Sequence, residues 1–134
     1  MNDEPRAEVL LRAVESFLSA DVVPRLEGVP RFHARVAANV VAMVAREIET
    51  QEDHLRGEWE RLGALLGEDA PLPAGREKTL AAVRGRSEAL ARRIRAGEAD
   101  AGPWRAEVLA HLRRTVADKM DVSRPPRERA GPKI

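Results

Sequence analysis

RFHARVAANVVAMVAREIE, Arg31 to Glu49, is apolar almost throughout, with Arg35, Asn39 and Arg46 set into it. Stepping about 100° per residue from Phe32 puts Arg35, Asn39, Ala42, Arg46 and Glu49 in one narrow wedge and leaves nearly all of the remaining circumference apolar. A helix of this kind is expected to be central in its fold. Its alanines at 34, 37, 38, 42 and 45 permit close approach of neighbours, and only the Arg35/Asn39/Arg46 stripe has to meet water, an acid or a partner. His33 and Glu47 fall inside the apolar arc, which predicts positions near helix ends or hydrogen bonds within a bundle.

Working outward, apolar residues recur at helical spacing in five segments and no strand alternation persists, so the expected fold is all-α. The first helix is expected to open at Pro5 behind Asp3 or Glu4, to carry Leu10, Ala13, Val14 and Phe17 on one face, and to end or kink at Pro24. Pro30 then starts the Arg31–Glu49 helix, which runs to about Thr50. A third helix from about Asp53 carries Leu55, Trp59, Leu62 and Leu66 and closes at Gly67. GEDAPLPAG is a loop. The fourth, about Arg76 to Ala96, repeats Leu80, Val83, Ser87, Leu90 and Ile94 and is capped by Gly97. The last, about Trp104 to Met120, is expected to bury Trp104, Val108, Leu112 and Val116. Short connections favour antiparallel neighbours, so residues 1–120 are read as one compact antiparallel bundle of four to five helices. Residues 121–134, DVSRPPRERAGPKI, are read as an irregular Pro/Arg-rich C-terminal tail.

Composition narrows the function classes. The 134 residues suit a single modest domain. No apolar run approaches the roughly 18 residues of a membrane span, so no membrane partner is expected. MNDEPRAEVLLRAVE places acids where a secretory leader needs a basic segment, which predicts a cytoplasmic protein. There is no cysteine, which excludes disulfides, thiolate chemistry and cysteine-type zinc sites. Lys+Arg 23 against Asp+Glu 22 gives a net charge of +1, so no overall field gathers nucleic acid. Arg84, Arg92 and Arg95 share a helical face, but interleaved acids, 3% aromatics and no tyrosine read as a solvated face.

Catalytic and ligand motifs fail on spacing. A di-iron bundle needs Glu three residues before His, yet Pro30, Gln51 and Val108 stand there before His33, His54 and His111. No HExxH is present, so no metal is expected. AGREKT resembles the end of a phosphate loop only in composition, because Gly75 and Lys78 are not adjacent and no strand leads in. No serine sits in a nucleophile elbow, and the carboxylate pairs of EIETQED and GEWE are solvated helix ends. The expectation is a non-enzyme with no cofactor. In the last helix, HLRRTVADK sets His111, Thr115 and Asp118 along one flank beside Arg114, either as a partner-binding surface or as a helix end whose cations complement its dipole.

FHARVAANVVAMVAREIE, ERLGALLG, LARRIRAGEAD and HLRRTVADKMDVSRP together resemble a bacterial family of small helical proteins, domain-of-unknown-function family 6285, over most of the chain. In that family the last motif continues as Lys-Leu and then Asn-Pro-Arg-Tyr, whereas this chain has Lys119, Met120 and then Arg124, Pro125, Pro126. The resemblance implies a context: members are encoded beside kinases similar to aminoglycoside phosphotransferases and beside acyl-CoA dehydrogenases. In levulinate and related hydroxy-acid catabolism, a small protein of this kind resembles an accessory partner of the kinase that phosphorylates 4-hydroxyacyl-CoA. The expected role is therefore a non-catalytic accessory subunit that binds the kinase through Arg35, Asn39, Arg46, His111, Arg114 and Thr115, with the ATP site in the kinase. The alternative is a small-ligand or acyl-CoA binding bundle, with Arg35, Arg46 or Arg114 on phosphate groups.

Overall fold

The computed structural model describes residues 4–124. All elements there are helical: α1 (Ala7–Phe17), a π turn (Leu18–Val22), a 3-10 turn (Val23–Arg25), α2 (Gly28–Leu66), α3 (Arg76–Arg95) and α4 (Pro103–Ser123). The all-α expectation holds, with four α-helices. Residues 125–134, most of the expected tail, lie outside the described residues, and α4 continues past Met120 to Ser123. No helix among the described residues is long and apolar enough to cross a membrane.

Helix ends follow local chemistry, with one correction. α1 opens at Ala7 rather than Pro5, because Arg6 is extended and its carbonyl is the one that accepts from Val9 and Leu10. Pro24 sits in the 3-10 turn. Its ring and missing N–H disrupt the ladder one turn earlier, where the backbone widens into the π turn. Gly67 and Gly97 hold positive φ, and each is followed by a residue whose N–H closes the helix end: Glu68 to the Gly63 carbonyl and Glu98 to the Arg93 carbonyl.

The largest departure from expectation is α2. The expected break between Thr50 and Asp53 is absent, and one helix of 39 residues runs through. TQED is polar, but polarity does not terminate a helix without proline, glycine or a competing cap. Thr50 Oγ1 instead donates to the Arg46 carbonyl one turn back at 2.8 Å, and Arg56 pairs with Glu52 at 3.1 Å.

Contacts divide the chain into two compact units, Met1–Gln51 with Val122–Ile134, and Glu52–Asp121. In the second unit the later part of α2, α3 and α4 surround Trp59, Leu62, Leu65, Val83, Leu90 and Val108. α4 retraces α2, with Trp104 on the Leu65 carbonyl and Asp118 on Arg61. α3, against the expectation of antiparallel neighbours, runs parallel to α2, with Arg86 on the Trp59 carbonyl and Arg93 on that of Leu65. Segment 67–75 makes this possible by running back along α2, where Trp59 Nε1 donates to the Ala70 carbonyl.

The buried face of α4 also differs from expectation. Trp104 is half-buried and Val108 buried, but Leu112 and Val116 are 41% and 56% exposed, and His111 and Asp118 are buried in their place. Rotation of the helix trades two apolar side chains for His111 and for Asp118, which forms an ion pair with Arg61 of α2. α3 likewise buries Thr79, Val83, Arg86 and Leu90, while Leu80 is exposed.

In the first unit Val23, Ala38, Ala42 and Ala45 are buried, and Arg12 joins α1 to α2 through both carboxylate oxygens of Glu49 at 3.0 and 3.1 Å. These hydrogen bonds hold the Glu49 carboxyl below its ordinary range. Of the five alanines expected to permit close approach, Ala38, Ala42 and Ala45 do so, whereas Ala34 is half-buried and Ala37 exposed, and α2 is not enclosed here. Phe32, Val36, Val40, Met43, Val44 and Ile48 are exposed, as are Leu10, Val14 and Phe17 of α1. A helix of 11 residues and two short turns cannot wrap the circumference of a second helix.

Candidate functional site

The first candidate is a groove in the first unit. Arg35 and Asn39 are exposed on α2. Together with Arg31, Ala38, Ser19, Val23 and Pro24 they line a concavity of about 430 Å³. The far wall is the π turn and the 3-10 turn, so the same proline that ends α1 shapes the groove. Arg31 Nε is buried without a hydrogen-bond partner, and the two guanidiniums and the Asn39 amide give the groove a positive, donor-rich wall suited to carboxylate or phosphate oxygens. Arg46 belongs to the expected wedge but is not free surface: it is half-buried, and its Nε donates to the Val122 carbonyl at 2.6 Å. Its role in the structure is to hold the end of α4.

The second candidate lies in the second unit, where His111, Thr115 and Asp118 do come together as expected along α4. Asp118, 6% exposed, receives Arg61 Nη2 at 3.3 Å and lies 3.0 Å from Arg114 Nε and 4.0 Å from His54 Nε2. The Arg114 contact is an ion pair without hydrogen-bond alignment, which leaves Oδ1 without a directed donor. Thr115 Oγ1 accepts from Arg61 at 3.5 Å. His111 is 5% exposed, and its Nδ1 has no partner. Burial, and secondarily the charge of Arg61, pushes its pKa below the ordinary histidine value, so the imidazole is neutral at neutral pH.

Of the flank expected to bind a partner, then, only Arg114 is well exposed, while His111 is core. The position was readable from the three-four spacing of 104, 108, 111, 115 and 118, a stripe passed over because its later members are polar. Arg61 and His54, seven residues apart on one face of α2, complete the cluster and carried no signal of their own. His54, Asp118 and Asp121 place ligand atoms within 4.8 Å of one another, but Arg61 and Arg114 already set positive charge on Asp118, so the donor set suits a cation poorly. The cluster's chemistry is that of a lock between α4 and α2.

All six expected site residues fall within a segment whose sequence matches a family model. Residues 24–126 match the family described as a domain of unknown function, DUF6285. The chain therefore belongs to this family, a class of helical domain. Neither the curated proteins nor the solved structures gave a match.

Proposed function

We propose that the chain is a non-catalytic accessory subunit of a kinase similar to aminoglycoside phosphotransferases, acting on a hydroxyacyl-CoA in the cytoplasm. The observation that carries this reading is the groove holding Arg31, Arg35 and Asn39. It presents charge-assisted donors at a concave, partly apolar surface, the chemistry with which a protein interface holds an acidic segment of its partner. ATP and the transferred phosphoryl group belong to the kinase, and the small subunit positions or stabilises it. The test is reconstitution. The kinase mixed with this chain is expected to phosphorylate hydroxyacyl-CoA faster than the kinase alone, and the chain alone to turn over neither nucleotide nor thioester. Turnover by the isolated chain overturns the proposal.

The same two guanidiniums favour a second reading, in which the groove holds the phosphates of an acyl-CoA. Calorimetry of the isolated chain with CoA thioesters separates the two. The accessory reading expects little heat, and saturable binding lost in Arg35→Ala supports the second.

A further inference from the structure

The exposed apolar face of α2 has a pattern of its own. Phe32, His33, Val36, Ala37, Val40, Met43, Val44, Glu47 and Ile48 are all exposed. At about 100° per residue they occupy one arc centred on Val40. The buried alanines lie on the opposite side, and Arg35 and Asn39 lie about 100–140° round from Val40. Phe32 and Val40 are 64% and 51% exposed, an arrangement that a monomer in water has no reason to keep.

We infer that this face is the contact between two copies of the chain, paired antiparallel about a two-fold axis at Val40. A two-fold contact is reciprocal: where a residue of one copy meets a second residue of the other, that second residue in the first copy meets the first in its partner. Rotation about an axis at Val40 sets Val40 against itself, and brings Val36 against Met43 and Ala37 against Val44 of the other copy, because each of these pairs lies on the same flank at nearly the same height. Apolar members therefore meet apolar members, and Phe32 and Ile48 lie at the edges of the contact. The only two polar members, His33 and Glu47, fall opposite one another. An imidazole N–H can donate to a carboxylate in either protonation state of the ring, so the polar members of the face are complementary to one another across the axis. A parallel pairing would instead set Glu47 against Glu47. Two such helices supply the missing layer of a core that α1 and the short turns leave half-built. The Arg31/Arg35/Asn39 groove stays outside the contact.

Sedimentation velocity on the full chain at micromolar concentration is expected to show a dimer. Val40→Glu sets two carboxylates face to face across the axis and is expected to weaken dimerisation about a hundredfold, with helicity retained because Val40 supports no core within one copy. His33→Glu is expected to weaken it less, and the double variant His33→Glu/Glu47→Lys to restore it. Because the chain has no cysteine, Val40→Cys adds a single thiol on the axis, and oxidation should give a disulfide-linked dimer where Arg84→Cys in the second unit does not. A monomeric parent overturns the proposal, whether or not it binds lipid vesicles through this face. So does a dimer that survives Val40→Glu or fails to cross-link through Val40→Cys.

Discussion

Arg86 is the most consequential residue that sequence reading passes over. Its guanidinium carbon lies 3.2 Å from the centre of the Trp59 ring, Nη1 donates to the Trp59 carbonyl at 2.9 Å, and Nε reaches Glu68 at 3.0 Å. The room for it is supplied by Gly63, where a Cβ would stand 2.7 Å from Arg86 Nη1 and 2.8 Å from the Glu68 carbonyl oxygen. Gly63→Ala is therefore expected to lower stability by about 1–3 kcal/mol in urea unfolding, although alanine is the better helix former. His111 gives a pH signature. Its folded-state pKa is depressed, so below the unfolded value of about 6.5 the unfolded chain takes up a proton that the folded chain refuses. Stability is expected to fall as pH drops below that value, and His111→Leu to flatten the slope. Arg86 was not legible in advance, because an arginine at a core position looks like solvated surface until the opposing helix is known, whereas the burial of His111 was readable from the spacing of its stripe.

At the scale of elements, helix ends were legible wherever glycine sets them. Gly67 and Gly97 need positive φ, and no tertiary context changes that. The false boundary near Thr50 has the opposite origin. It was inferred from a change of polarity, which reports how a face is solvated and not whether the backbone ladder continues. A continuous α2 predicts that amides 50–56 exchange with water slowly and as part of the surrounding helix, whereas two helices with a joint there would show fast exchange at those positions. The buried stripe of α4 was displaced for a related reason: apolar spacing alone could not anticipate that Asp118, with Arg61 and Arg114, outweighs Leu112 and Val116. Asp118→Ala leaves Arg61 without its carboxylate and is expected to cost about 3 kcal/mol, read from the same urea titrations.

At the scale of the whole molecule, the all-α class followed from periodicity, and the Arg35/Asn39 wedge was legible because two polar residues in an apolar run have few places to go. What the sequence could not show is that most of that apolar run faces outward. Periodicity identifies a face that avoids water without saying which molecule covers it. The proposed role rests on the wedge rather than on that face, and the most direct test is a titration of the kinase with the parent chain and with Arg35→Ala and Arg46→Ala. Parent binding is expected to raise kinase activity. Arg35→Ala is expected to weaken association by about tenfold or more with unchanged circular dichroism, whereas Arg46→Ala, which loses the bond to Val122, is expected to lower the melting temperature first. Association and activation by Arg35→Ala equal to the parent would contradict the assignment of the groove.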